Sequence, residues 1–228
     1  MTEVEVLAQP VSSVAAGGGA RPRRRMLLCS FPVVLAVTLV AGTWATARFR
    51  LPDPDTWWHV AVGQTILTHH ALPVSDVYSF TAPGSAWIAY EWLGEVLMAA
   101  ADRAGGLQGL EGLLLGLASM WVLLLWGFAY VRTRNVKASF VAVILLLPLA
   151  AVQFSLRPQL LGYIFLLLTL IVLEKYQQGS RWVLWVLPLL FAVWVNTHGS
   201  FVLGLFVIAL YWVCGLWEFH GETVETRR

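Results

Sequence analysis

Residues 107–131 read LQGLEGLLLGLASMWVLLLWGFAYV. A bilayer's hydrocarbon core is about 30 Å thick and takes about 20 predominantly apolar residues in a helix to cross, which this run supplies. On its own the stretch predicts a transmembrane helix. Apolar runs recur on both sides of it, at 26–47, 138–156, 160–173, 182–195 and 201–217, separated by short polar links. The expected fold is therefore all-α, a polytopic transmembrane helix bundle of about six spans covering 26–217. The run at 182–195 would measure only about 21 Å as a helix, so its polar end is expected below the membrane surface.

Composition leads to the same class. Of 228 residues, 58% are hydrophobic and only 12% charged. Soluble domains carry roughly 25% charged residues, and half of that cannot cover a water-facing surface of this size. The net charge of +2 gives no reason to expect nucleic acid as a partner. Cys29 and Cys214 both sit in apolar runs near opposite ends, which excludes a disulfide-stapled secreted fold and a CxxC metal site.

Residues 1–20 are rich in Gly, Ala, Ser and Val without a period, and 1–25 reads as a disordered cytoplasmic tail ending in Arg21, Arg23, Arg24 and Arg25. Ala45-Thr46-Ala47 has the small-x-small form of a signal-peptide cleavage site, but the apolar region before it exceeds the roughly 7–15 residues of a signal core. With the N-terminus inside, 11 of the 15 Lys and Arg fall on the cytoplasmic side, leaving Arg48, Arg50, Arg103 and Arg157 outside. The positive-inside rule thus predicts that both termini are cytoplasmic, including a short tail at 218–228 that carries His220 in solvent.

One long segment, 48–106, lies between spans on the outer side. Residues 55–70 have the composition of an amphipathic helix on the membrane surface, with Trp57, Trp58, Val60, Ile66 and Leu67 available to lipid. Pro73, Pro83 and Gly84 punctuate an extended stretch through Tyr78 and Phe80, and a second amphipathic helix is expected from about 90 to 103. No soluble domain is expected here.

Polar groups that apolar surroundings make costly gather on this outer side, while the middles of the spans hold no Asp, Glu, Lys or Arg. A transporter more often places ionisable residues near the bilayer midplane, so the distribution counts against transport. The sharpest constellation is Asp53-Pro54-Asp55-Thr56-Trp57-Trp58-His59. Two carboxylates flanking a proline can face a common centre, and a helix starting near Asp55 puts His59 on the same side four residues later. Asp53, Asp55 and His59 could then share a divalent metal, Mg or Mn, or either Asp could act as a general base. The plainer reading is that Asp55 or Thr56 caps the helix and Asp53 is solvated.

Arg157-Pro158-Gln159 forms an outer hairpin in which Arg157 could fork two donors onto a phosphate, or could merely reach for lipid headgroups. Asn196-Thr197-His198-Gly199-Ser200 falls where the short span should end beneath the surface. Irregular backbone at that depth lines a pocket or caps a helix with Gly199 left-handed. Glu91 opens the second surface helix, where it could be an acidic ligand or a favourable charge at a helix N-terminus. His69, His70 and Asp76 read as polar loop residues, Asp76 with a position that could line an acceptor path.

These residues in this order resemble the N-terminal half of polytopic membrane glycosyltransferases of the GT-C superfamily. The first span, the large outer loop with Asp53-Pro54-Asp55, two surface helices, Glu91-Trp92-Leu93, Arg157-Pro158-Gln159 and Trp194 to Gly199 carry the likeness. The resemblance implies a bacterial inner (plasma) membrane protein that transfers a sugar, with inversion, from a polyprenyl-phosphate donor to an acceptor hydroxyl at the extracytoplasmic face. Asp53 and Asp55 would be its catalytic carboxylates, as base or metal ligands, and His59, Glu91, Arg157, Gln159, Asn196 and His198 would bind substrate. Its partners would be the polyprenyl-phosphate-linked sugar and membrane lipid. Family members have more spans and often a C-terminal soluble domain, so the expectation includes a shortened product. The alternatives are a non-catalytic membrane subunit or remnant working beside a partner membrane subunit, and, ranked below it, a small-solute transporter.

Overall fold

The computed structural model describes residues 30–48 and 53–225, with side chains up to Gly215 in the last helix. The expected tail at 1–25, the first residues of the 26–47 run and the extreme C-terminus lie outside the described residues, as does the side chain of His220.

Helices follow one another as α1 (Phe31–Ala47), α2 (Pro54–His69), α3 (Trp92–Thr133), α4 (Val136–Ala151), α5 (Pro158–Gln177), a 3₁₀ turn (Arg181–Trp185), α6 (Val186–Trp194) and α7 (Phe201–Glu225). Local chemistry sets their starts. Pro54 and Pro158 occupy the first turns of α2 and α5, where a missing N–H costs nothing. Asn135 caps α4 by accepting the backbone N–H groups of Lys137 and Ala138. His70 and Arg134, at φ 52° and 51°, end α2 and α3 in the left-handed region. Among the described residues no strand forms; the extended stretch after α2 holds one antiparallel bridge, Ser75 with Ala86.

The second surface helix and the 107–131 run prove to be two arms of α3, which bends sharply at Gly105 and Gly106. Two helices, α3 and α5, are long and apolar enough to cross a membrane. The other apolar runs are helical but shorter, at Phe31–Ala47, Val136–Ala151, Arg181–Trp194 and Phe201–Gly215. The 138–156 run falls short because its helix stops at Ala151 and turns before Arg157.

The second arm of α3 is central, sharing a core with α1, α4 and α5 built from Leu39, Leu110, Leu114, Val122, Val143, Leu147, Leu160 and Ile164. The outward faces are apolar as well: Val141, Leu145 and Leu149 of α4 and Val202 and Phe206 of α7 are exposed. Helices that are hydrophobic all round suit an apolar surrounding.

The reading of α2 as a lipid-facing helix is corrected. Val60, Val62 and Ile66 are buried, and the helix packs on the first arm of α3. Gly63 makes this possible, since a Cβ there would stand 2.0 Å from the Glu95 carbonyl oxygen. Trp57 stays half exposed, whereas Trp58 packs tilted at 5.2 Å against Tyr78 and 5.5 Å against Trp87, closing the loop over α2. Arg157, just before α5, and Glu174, near its other end, stand roughly 25 Å apart along the axis at about 1.5 Å per residue. Glu174 accepts from Arg132, at the far end of α3, at 2.6 Å. The two charged ends of the bundle are thus separate.

Candidate functional site

At the Arg157 end two clusters of charged groups meet α2, one at Asp53 and Asp55 and one at His59, a turn beyond Asp55. The first is built on Asp53. Its Oδ1 accepts the backbone N–H of Asp55 at 3.1 Å, so Asp53 is the helix cap, a role expected of Asp55 or Thr56. Arg157 comes from a hundred residues away and grips the same carboxylate with both prongs of its fork, Nε to Oδ2 at 2.6 Å and Nη2 to Oδ1 at 2.7 Å. Its remaining nitrogen, Nη1, stands 2.7 Å from Oδ2 of Asp55. The Thr56 hydroxyl donates to the Leu156 carbonyl at 2.8 Å and ties the start of α2 to the turn that presents Arg157. Hydrogen bonding by Arg157, opposed by burial and helped by the Asp55 N–H, holds the Asp53 carboxyl below its ordinary value. Arg157 is correspondingly raised by Asp53. Asp55 is the open member, its side chain 56% exposed.

The second cluster collects His59 from α2, Glu91 and Glu95 from the start of α3, and His198 from the turn before α7. His59 Nδ1 lies 3.2 Å from Glu95 Oε1, while its Nε2 lies 3.8 Å from Glu91 Oε2. His198 Nε2 lies 3.6 Å from Glu91 Oε1. Two glycines make room for this meeting. Gly63, one turn beyond His59, lets α2 press on Glu95, and Gly162 of α5 leaves room for the turn, since a Cβ there would lie 2.2 Å from Ser200 Oγ and 3.4 Å from His198 Nδ1. The turn is further held by Asn196, whose side-chain oxygen accepts from Trp92 Nε1 at 2.9 Å and whose carbonyl accepts from Leu93 N–H at 3.0 Å.

The Ser200 backbone N–H donates to His198 Nδ1 at 3.0 Å. Because an N–H can only donate, Nδ1 of His198 is the acceptor, and a neutral ring carries its proton on Nε2, facing Glu91. Burial, then the charge of His59, lowers the His198 pKa. Burial raises that of Glu91, against the pull of His59 and with the push of Glu95. Tyr90, beside them, is raised mainly by the charge of Glu91. Glu95 is only 4% exposed and its Oε2 has no hydrogen-bond partner among the described residues.

Of the residues expected to form a site, Asp53, Asp55 and Arg157 meet in the first cluster and His59, Glu91 and His198 in the second. Gln159 and Asn196 join neither: Gln159 donates to the Tyr163 hydroxyl on its own helix, and Asn196 is spent on holding the turn. The metal set of Asp53, Asp55 and His59 does not assemble, since Arg157 occupies both carboxylates and His59 faces two glutamates. Among the described residues no three His, Cys, Asp or Glu are grouped to hold a metal ion. Asp76 is buried and its Oδ1 accepts the N–H groups of Tyr78 and Ser79, which shapes the loop; the Ser79 side chain, then those backbone bonds, lower its pKa. His69 and His70 are exposed at the end of α2. Glu95 went unrecognised as a site residue, although its spacing of four from Glu91 puts both carboxylates on one helix face. No protein-family model, curated protein or solved structure matches this chain.

Proposed function

We propose that this protein is a membrane glycosyltransferase of the GT-C kind, moving a sugar from a polyprenyl-phosphate donor to an acceptor hydroxyl at the extracytoplasmic face of a bacterial plasma membrane. The reading carries six crossings, with the four shorter apolar helices spanning beside α3 and α5, and both termini in the cytoplasm. The observation that supports it best is Arg157, held on Asp53 at one end of an apolar bundle with its third nitrogen on a half-exposed Asp55. Sugar transfer from a lipid phosphate needs positive charge where the phosphate departs and a carboxylate where the acceptor hydroxyl loses its proton. A guanidinium can exchange the Asp55 oxygen for a phosphate oxygen while Asp53 keeps it aimed. The second cluster supplies carboxylates in a drier setting nearby.

The test is transfer of labelled sugar from a polyprenyl-phosphate donor in purified membranes that supply the acceptor, at equal expression of each variant. Arg157→Lys keeps the charge but loses the fork, and is expected to raise the donor KM by about tenfold, the worth of roughly one charge-assisted hydrogen bond. Asp55→Asn is expected to lower transfer while membrane insertion stays intact. Membranes in which the wild-type chain transfers nothing would overturn the reading in favour of a non-catalytic subunit.

A further inference from the structure

Each carboxylate and imidazole at this end has a distinct set of occupied positions, and those positions decide what it can do to a hydroxyl. Both oxygens of Asp53 are taken by Arg157, and one also by the Asp55 N–H. Asp55 is ion-paired to the same guanidinium and open to water. Glu95 is buried, with its side chain 5% exposed, too deep to meet a substrate. His198 has its only acceptor nitrogen filled by the Ser200 N–H. His59 stands between two glutamates, one facing each ring nitrogen.

Glu91 remains. Its two oxygens face imidazole nitrogens at 3.6 and 3.8 Å, beyond hydrogen-bond length, so its acceptor positions are aimed but unfilled. Its side chain is 13% exposed, against 5% for Glu95, and it lies beside an exposed Tyr90. Two separate segments converge on it, His59 from α2 and His198 from the turn before α7, and Glu95 follows it by one turn on α3. Behind it sits the unpartnered, nine-tenths buried Oε2 of Glu95. The negative charge of Glu95 favours a proton on Glu91.

We propose that Glu91 is the general base that takes the proton from the acceptor hydroxyl, with His59, Glu95 and His198 as positioning residues. The inference rests on the sugar-transfer reading and assigns its base to the second cluster rather than to Asp53 or Asp55. In the step, the acceptor O–H bond breaks and its proton passes to a Glu91 oxygen. The freed electron pair forms the new bond to the anomeric carbon. The bond from that carbon to the phosphate oxygen breaks, and its electron pair leaves with the polyprenyl phosphate, against Arg157. Charge and atoms balance without a redox partner. Dry surroundings suit this role: a carboxylate raised toward working pH is the stronger base, whereas one held low by a guanidinium is a weak one.

The experiment follows log kcat against pH in the same membranes for the wild type, Glu91→Gln, Glu91→Asp and Asp55→Asn. Glu91→Gln should lose about 10²–10⁴-fold in kcat and with it the acid limb of the profile. Glu91→Asp should keep that limb at reduced rate, and Asp55→Asn should leave its midpoint in place. An acid limb that survives in Glu91→Gln, or one that moves in Asp55→Asn, overturns the assignment. A second measurement separates this from failure of the sugar-transfer reading. Infrared titration of the purified full chain in lipid nanodiscs should find a protonated carboxyl band that persists above the ordinary glutamate range and vanishes in Glu91→Gln, whether or not sugar is transferred. Absence of that band overturns the proton-holding role itself.

Discussion

Two carboxylate pairs, one at the start of α2 and one on α3 against His59 a turn further along α2, have been given opposite surroundings. Asp53 and Asp55 share a guanidinium whose charge never leaves, and Asp53 is held ionised. Glu91 and Glu95 share only imidazoles, whose charge depends on a proton, and burial pushes Glu91 the other way. The difference teaches that residue type alone does not assign a role at this end of the bundle. A carboxylate filled by Arg157 anchors, while one facing half-committed imidazoles can accept a proton.

The comparison breaks most severely at Gly63. In Gly63→Leu the side chain would enter the Glu95 carbonyl, so α2 must lift from α3 and the second cluster must come apart, whereas Arg157 can follow Asp53 from the α5 side. The expected cost is about 3 kcal/mol or more, as for overpacking a closed interface. Thermal unfolding in nanodiscs measures it, and a variant as stable as the wild type would disprove the close approach. Next in size is Arg157→Gln, which removes the fork from Asp53. Because the guanidinium is 37% exposed, the loss is expected near 1–2 kcal/mol, below that for a fully buried charged pair. Unlike Gly63→Leu, it should leave the His59 and His198 signals unchanged in a nitrogen-15 imidazole spectrum.

The smallest effect is on stability against pH, where the two clusters should differ in sign. Asp53, lowered from 3.8, contributes stability above that value and loses it only as pH falls through its folded value. Glu91 is raised from 4.5, so the folded chain binds its proton more readily than the unfolded chain does. Stability therefore falls as pH rises from about 4.5 through the folded value, and Glu91→Gln should flatten that decline. His198, lowered from 6.5, costs stability as pH drops below 6.5, because the unfolded ring takes up a proton that the folded one resists. Chemical denaturation from pH 4 to 8 checks the signs for Glu91 and His198, its extension below pH 3.8 checks that for Asp53, and a Glu91→Gln curve parallel to the wild type would contradict the assignment.

Much of the framework was readable from local chemistry. Pro54, Pro158 and Asn135 mark helix starts wherever they fold, and the 107–131 run is helical in almost any setting that hides it from water. Spacing also placed Asp53, Asp55 and Arg157 at the ends of apolar runs. Helix length was less readable, because hydrophobicity continues through the turn at 152–157 and says nothing of where hydrogen bonding stops. The orientation of α2 was misread for a related reason. Its apolar face is the same whether it meets lipid or α3, and only the fit of Gly63 against Glu95 decides between them.

The sequence by itself therefore determined an all-helical, apolar chain with its polar chemistry gathered at the helix ends, since turn residues, caps and periodicity act over a few neighbours. Tertiary structure alone decided which polar groups meet. Arg157 reaches Asp53 across 104 positions, and His59 reaches Glu95 across 36. The second cluster depends on Gly63, where the missing Cβ lets α2 meet the Glu95 backbone, and on Gly162, where it leaves room for the Ser200 side chain beside His198. Those contacts brought imidazoles to the glutamates, while the turn before α5 brought Arg157 to the aspartates.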